Sequence, residues 1–440
     1  MYVKKHLSFT SLRASVSTLF RAIPDWRQPS KVSISLHDAL MSGLACMHFQ
    51  DPSLLQFQTR MQEEQHQNNL RTLFDVSNIP KETQMREIID GVSSEHFRPI
   101  FKEFYLQLQR GKHLEPYQIF PSMYYFPIDG SQFHSSKDVY CEQCLVKHAK
   151  SENPTYSHYV LQGGIAHPDC SQVLPFMPEQ IVNSDGTEKQ DCEMNAAKRF
   201  IARIREEFPK LGLLIGGDGL FSKQPIIKAI LAKNMHYLFV AKPADHTYMM
   251  EWVDAYDTLE HIEFTEDKGR RHFYEWVHDV PLNGQSDAIH VNFLRCFIME
   301  TNQSGEEKVV YRNSWVTNLP ITAEHITTLV RAGRCRWKNE NELFNVMKNH
   351  GYYMERNYGH GQKNLAFNFY LLTLLAFFFH QIAELTDKQY QACRKKFGSK
   401  RLLWEKLRSW IDIIIFETWE QLLEFALTPK TGLLKWVNPP

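Results

Sequence analysis

Hydrophobic and polar residues follow a helical period at both ends of the chain and a strand-like pattern in the middle. Apolar positions recur every three or four residues at 35–49, 51–65 and 94–111, which is the spacing of amphipathic helices. The apolar, aromatic run MYYFPID at 123–129 instead predicts a buried strand. The pattern therefore predicts a helical N-terminal domain over residues 1–115.

Strands and helices alternate after this domain. The predicted elements are strands at 123–129, 157–169 and 171–182, a helix at 191–212, a strand at 212–221, a helix at 223–234 and a strand at 235–243. Three strands followed by alternating helices and strands predict a mixed sheet flanked by helices over 116–244. Residues 245–320 read as short alternating runs separated by NGQS and NQSGEE, which predict a β-strand insertion.

Helical spacing returns at 321–351, and residues 321–385 are predicted to complete the core of the mixed sheet. The apolar stretch 365–385 contains Asn368, Thr373 and His380. A membrane span needs about 20 apolar residues, so this stretch is predicted to be a buried core helix. A basic helical tail over 386–440 completes an α+β or α/β architecture.

Composition narrows the function only slightly. The 440 residues carry a formal net charge of zero, so any basic surface must be local. Eight cysteines, mostly isolated, do not resemble a disulfide framework and favour a reducing cytosol. The N-terminal residues lack a continuous apolar segment, and no signal peptide is expected.

Two aspartates stand beside glycines at the predicted ends of strands. Asp129 lies in IDG and Asp218 in GGDG. Asp-Gly is a favoured turn pair, so each aspartate taken alone is well explained by a turn. Glycine within a strand costs about 0.5–1 kcal/mol relative to alanine, and it also leaves room for a ligand. Comparable settings for two carboxylates favour a metal-binding role.

A third carboxylate lies on the helix predicted at 321–351. Arg336, Glu340, Phe344 and Lys348 follow one another at intervals of four residues, which places them along one side of an α-helix. A salt-bridged surface helix has the same pattern. Three carboxylates, however, suffice to hold two divalent cations, and oxygen ligands suit Mg²⁺ or Mn²⁺.

These three blocks resemble the DDE insertion-sequence transposases of the Y-R-E-K signature group. The segment RCRWKNENELFNVMKNHGYYMERNYGHGQKNL is the most specific. The resemblance implies an RNase H-like core and a two-metal site at Asp129, Asp218 and Glu340. It also implies cut-and-paste DNA transposition, in which transposon ends are cleaved and their strands transferred to target DNA. A homodimer is expected to pair two terminal inverted repeats.

Two positions depart from that signature. Gly333 stands where the family has a tyrosine three residues before the arginine, and Lys348 follows Glu340 by eight residues instead of seven. Glu342 is therefore a rival for the third acid. The departures leave two alternatives to an active transposase: a catalytically silent DNA-binding descendant, or another metal-dependent nuclease on an RNase H-like core.

Basic residues cluster near this helix. Arg336 and Lys348 are expected to contact phosphates, and the segment RAGRCRWK adds Arg334 and Lys338. Residues 386–408 carry eight lysines and arginines against two acids. These residues predict contacts with DNA, whereas no membrane association is expected. A bacterial, nucleoid-associated cytosolic protein follows from the resemblance.

A second metal site is predicted in the loop region 141–167. Cys141 and Cys144 form a C-x₂-C pair, and His148 and His158 follow. Paired cysteines with nearby histidines are typical of structural zinc sites. The spacing is not that of a standard finger, and His167 is an alternative fourth ligand. Two free cysteines beside surface histidines remain the other interpretation.

Overall fold

A computed structural model describes residues 5–61, 67–148, 151, 153–182, 192–266, 269–301, 306–356, 358–429 and 435–436. The outer limits of the predicted terminal domains, the start of the helix predicted at 191–212, and residues 149, 150 and 152 of the predicted zinc loop lie outside these ranges.

Six α-helices form the N-terminal part of the chain within the described ranges 5–61 and 67–110. They are α1 Phe9–Arg21, α2 Leu36–His48, α3 Leu54–Met61, α4 Gln67–Phe74, α5 Glu82–Asp90 and α6 Arg98–Arg110. Helix α2 begins where the Ser35 hydroxyl accepts a hydrogen bond from the backbone N–H of Asp38. Every residue of α2 is buried, so this helix is the centre of the helical layer.

The middle of the chain builds a twelve-stranded mixed sheet flanked by helices. Its strands are β1 Gln118–Phe120, β2 Met123–Ser136, β3 Leu145–Lys147, β4 Thr155–Ile165, β5 Leu174–Pro175, β6 Glu179–Ile181, β7 Gly212–Gly217, β8 His236–Val240, β9 Glu260–Thr265, β10 Arg271–Pro281, β11 His290–Thr301 and β12 Glu307–Thr317. The order is β3-β4-β2-β7-β8-β12-β11-β10-β9. Strands β2, β7 and β8 run parallel, and the other pairs are antiparallel.

Strand β2 is longer than the sequence predicts. Its parallel pairing with β7 stops at Pro127 and Gly216. Antiparallel pairing with β4 continues from Ile128 opposite Gly163 to Ser136 opposite Tyr156. The prediction that the strand ends at Asp129 is therefore wrong, because the β4 side keeps the backbone extended after β7 has turned away.

The predicted insertion is continuous with the core sheet. Strand β12 pairs antiparallel with β8, with Trp315 opposite Val240 and Thr317 opposite Leu238. Helices α7 Glu193–Glu207, α8 Gln224–Leu231 and α9 Thr247–Asp254 connect the strands. Within residues 245–320, the strands β9 to β12 extend the core sheet.

The helix predicted at 321–351 is divided into three pieces. They are α10 Ile326–Arg334, a π-helix Asn339–Phe344 and α11 Asn345–Asn349. The later elements are α12 Leu365–Thr386, α13 Lys388–Phe397, α14 Lys400–Ile411, α15 Trp419–Leu427 and the strand pair β13 Ile414–Ile415 and β14 Lys435–Trp436. Helix α12 is long and apolar enough to cross a membrane, but 94% of its most apolar window is buried in the fold, as expected of a core helix.

The C-terminal helices pack against the N-terminal ones. The Trp404 ring meets His48 edge-on at a centroid distance of 5.3 Å, and Asn69 donates hydrogen bonds to the carbonyls of Ile411 and Ile414. One contiguous apolar core includes residues from Leu7 to Ala426. Residues 386–429 are therefore part of the helical layer and not an appended tail.

Candidate functional site

Asp129 and Asp218 occupy equivalent positions on neighbouring parallel strands. Each lies two residues beyond the last parallel pair of β2 and β7, which joins Pro127 to Gly216. Asp218 directly follows β7, and its Oδ1 accepts a hydrogen bond of 2.9 Å from the N–H of Leu220 in the turn that leads to α8. Both carboxylates therefore lie where β2 and β7 separate.

Arg336 brings the third acid to this point. Its Nη1 lies 2.5 Å from Oε1 of Glu340 and 3.7 Å from Oδ2 of Asp129. Glu342, the rival acid, lines a separate groove together with Gln50. Of the two candidates, Glu340 is the one placed beside Asp129.

Burial and neighbouring charges set the pKa of Asp129. Burial raises the pKa of Asp129 to about 7; Arg336 opposes this shift, and the negative charges of Glu340, Asp218 and Glu193 add to it. The carboxylates thus share a half-buried region in which Arg336 is the cation acting on Asp129. Such a concentration of negative charge favours binding of a cation.

Glu193 is a fourth acid at this site, and the sequence did not single it out. It lies in the first turn of α7, where the helix dipole favours a negative charge. A Cβ atom at position 130 would lie 2.2 Å from Oε1 of Glu193, so only a glycine allows this approach. Burial and then the charge of Asp218 raise the pKa of Glu193. The space at Gly130 is therefore taken by a carboxylate.

The four acids suit divalent cations by the type of their ligand atoms, but the distances between the oxygens of any three of them are too long for a shared ion. All four groups offer oxygen ligands, which suit Mg²⁺ or Mn²⁺. In the described part of the chain, no three carboxylates bring their oxygens within 4.8 Å of one another. Arg336 separates Asp129 from Glu340, so a metal pair would require this guanidinium to give way.

The other residues predicted to contact phosphates lie in different settings. The guanidinium of Arg334 stacks over Tyr311 at 4.5 Å, and Lys348 forms an ion pair with Glu355 at 2.8 Å. Lys338 is only 6% exposed, and its ammonium donates to the carbonyl of Cys170. The prediction of a DNA contact at Lys338 is wrong in this conformation, because its charge is directed into the fold.

Gly333, where the signature group has a tyrosine, packs against a tryptophan. A Cβ atom at this position would lie 2.5 Å from Nε1 of Trp315, which is fully buried. The indole of Trp315 therefore fills the space beside α10 that a larger side chain at 333 would need.

A second cluster lies beside the far end of the β2–β4 pair, where His158 of β4 is opposite His134 of β2. Cys141, Cys144, His158 and His360 each offer one ligand atom, and these four atoms all lie within 4.8 Å of one another. The hydrogen bond from Cys144 lowers the pKa of the Cys141 thiol, and the resulting thiolate raises the pKa of Cys144. This cluster can hold a metal ion.

The fourth ligand of this cluster differs from the predicted one. His148 is exposed and has a positive φ of 57°, whereas His360 enters from the loop between α11 and α12. His167, the predicted alternative, accepts a hydrogen bond at its Nδ1 from the N–H of Asp169. The assignment of His148 is therefore wrong. His360 is 216 residues from Cys144 in the sequence, and no local spacing indicates it.

Comparison with known proteins does not assign the chain to a family. No protein-family model matches the chain, and no curated sequence matches it. The site geometry and the sequence motifs therefore carry the functional argument.

Proposed function

We propose that the chain is a metal-dependent DNA transposase that cleaves transposon ends and transfers their strands into target DNA. The observation that carries this proposal is the meeting of Asp129, Asp218 and Arg336-bound Glu340 where β2 and β7 separate. Two aspartates from adjacent parallel strands and a glutamate from a helix match the arrangement that the signature resemblance implies.

The order of the strands supports an RNase H-like core as the finer description of the fold. Strands β6, β4 and β2 are antiparallel neighbours, and β7 and β8 continue the sheet in parallel with β2. The first acid then comes from the central strand and the second from the strand beside it. Strands β9 to β12 would be the β-rich insertion.

A basic groove supports DNA as the substrate. It has a volume of about 750 Å³ and lies between the glutamate-bearing helix and the C-terminal helices. Four basic residues line it, against two acids. They are Arg394, Lys400, Arg401 and Arg408. Their charges suit a phosphate backbone, and the asparagines Asn341, Asn345 and Asn349 offer neutral hydrogen-bonding groups on the opposite wall.

The roles of the chain's own groups follow from their positions. Asp129, Asp218 and Glu340 would hold Mg²⁺ or Mn²⁺, and Asp129 must first lose the proton that burial favours. Cations held by these acids would supply an activated water and charge stabilisation of the leaving oxygen in phosphodiester cleavage. Arg336, once displaced from Glu340, would contact the phosphate. The protein would act as a homodimer on paired ends in the bacterial cytosol, associated with the nucleoid.

The test is an assay of nicking and strand transfer on duplexes that carry the inverted repeats bordering the gene. Asp129→Asn, Asp218→Asn and Glu340→Gln should each lower the rate with Mg²⁺ at least about 100-fold, which corresponds to about 2.7 kcal/mol. Glu324→Gln is the control, because it removes an exposed carboxylate just before α10 that does not line the basic groove, and it should stay within about threefold of the parent.

Three outcomes would reject or redefine this function. Full strand transfer by both aspartate variants would refute the site. Specific end binding without cleavage by the parent protein would identify a catalytically silent descendant. Cleavage of any duplex without joining of strands would identify another metal-dependent nuclease.

A further inference from the structure

The cluster of Cys141, Cys144, His158 and His360, called here the Cys₂His₂ cluster, has the dimensions of a zinc site. The two sulfurs are 3.9 Å apart, and Nε2 of His158 lies 3.6 Å and 3.4 Å from them. Nε2 of His360 lies 3.4 Å from the Cys144 sulfur and 3.0 Å from Nε2 of His158. A tetrahedral zinc with bonds of about 2.3 Å to sulfur and 2.0–2.1 Å to nitrogen requires separations of about 3.8, 3.6 and 3.3 Å.

The cluster is closed to solvent on most sides. Cys144, His158 and His360 are 1%, 2% and 7% exposed, respectively. The Phe133 ring stacks on His158 at a centroid distance of 5.6 Å. Cys141 is partly exposed. Four protein ligands leave no open coordination position, which is typical of structural zinc and not of catalytic zinc.

The ring of His360 is held so that Nε2 faces the other ligand atoms. Its Nδ1 lies 2.9 Å from the carbonyl oxygen of Gly361, and donation of the Nδ1–H to this oxygen leaves the Nε2 lone pair directed at the cluster. Such a second hydrogen bond is the usual means of fixing a metal-binding histidine.

The backbone on either side of His360 is also fixed. Gly359 and Gly361 both have positive φ values, 144° and 68°, which favour glycine. The carboxylate of Asp90 in α5 accepts hydrogen bonds from four successive backbone N–H groups at the start of α12. These groups belong to Gln362, Lys363, Asn364 and Leu365. The loop thus reaches the cluster from a firmly anchored position.

We propose that the Cys₂His₂ cluster binds one structural Zn²⁺ that ties the β2–β4 hairpin to the loop before α12. Tetrahedral sites with two sulfur and two nitrogen ligands select zinc among the common divalent metals. The hairpin continues from Asp129, and the loop follows the helical segment that carries Glu340. The ion therefore connects the two chain segments that bring the first and third acids together.

The first experiment measures zinc in the purified full chain by elemental analysis. We expect about one zinc per chain in the parent, and less than about 0.2 in His360→Ala and Cys144→Ser. The matched controls are His148→Ala, which removes the exposed histidine beside the C-x₂-C pair, and Cys192→Ser, which alters a cysteine outside the cluster. Both should keep the parent's zinc.

A second experiment tests the same site if His360→Ala does not fold. His360→Cys restores a zinc ligand and should retain about one zinc. Replacing zinc by Co²⁺ in the parent should give the visible absorption of tetrahedral cobalt with thiolate ligands. A zinc-free parent, zinc retained by His360→Ala as fully as by His148→Ala, or octahedral cobalt would overturn the proposal. Zinc content does not depend on DNA cleavage, so this result is separate from the test of the proposed function.

Discussion

The acidic site and the Cys₂His₂ cluster both lie beside the β2–β4 pair, but their ligands are arranged for a cation in opposite ways. In the cluster, neutral or soft ligands have already converged in a buried place, at separations that suit a bound ion. At the acidic site the carboxylates repel one another, Glu340 is 47% exposed on its side chain, and Arg336 occupies the space between two of them. A closed set of ligands holds an ion permanently, whereas an open set exchanges ions and admits a substrate.

The largest change in melting temperature should come from removing zinc from the Cys₂His₂ cluster. A strong zinc chelator should lower the melting temperature of the parent by at least about 5 °C, because a structural zinc contributes folding free energy. Added Mg²⁺ should not restore it, whereas added Zn²⁺ should. Thermal unfolding followed by circular dichroism measures this. His360→Ala is the control, since the chelator should leave its melting temperature unchanged. Equal recovery with Mg²⁺ would remove the distinction between the sites.

A smaller, pH-dependent effect should distinguish the acidic site. The pKa of Asp129 is raised from 3.8 to about 7, so between about pH 4 and 7 the folded state keeps a proton that the unfolded state has lost. The free energy of unfolding therefore falls as the pH rises through this window. Asp129→Asn cannot ionise, so without metal it should melt a few degrees above the parent at pH 8 and at the same temperature near pH 4.

The exposed Asp138, beyond the end of β2, supplies the control for this measurement. Asp138→Asn should change the melting temperature by less than about 1 °C at either pH. A melting temperature of Asp129→Asn below that of the parent at pH 8 would contradict the raised pKa of Asp129.

The smallest effect should come from Glu193. It contributes less to the raised pKa of Asp129 than burial, Glu340 and Asp218 do. Glu193→Gln should therefore move the pH midpoint of Mg²⁺-dependent cleavage down by about 0.5 or less and keep the rate within about tenfold. Glu206→Gln, at the exposed end of the same helix, should change neither. A loss as large as that of Asp129→Asn would make Glu193 an essential ligand.

The sequence reveals those parts of the fold that depend on local patterns. The apolar runs at the start of β2 and in β7 and β8, and the length of α12, are sufficient to predict the strands and the core helix. The residue at which a strand ends is harder to predict from the sequence. Asp129 looks terminal because Gly130 follows it, yet pairing with β4 carries the strand on to Ser136.

The site could be predicted only where its residues share a motif. Arg336 and Glu340 are four residues apart, and their ion pair is the one that this spacing predicts, although Arg336 lies between α10 and the π-helix. Glu193 and His360 depend on the tertiary fold, since one reaches Gly130 from the start of α7 and the other reaches Cys144 from a loop 216 residues away. The buried position of Lys338 is likewise set by Cys170, far from it in the sequence.

The π-helix Asn339–Phe344 changes the relation between sequence spacing and side-chain direction in this segment. A turn closed by i→i+5 hydrogen bonds contains one residue more than an α-helical turn. Lys348 follows Glu340 by eight residues, one more than in the signature group. In an unbroken α-helix the added residue would rotate every later side chain by about 100°. The π-helical turn accommodates the extra residue, because it contains more residues than an α-helical turn. The side chains after it therefore keep the directions that they would have without the added residue.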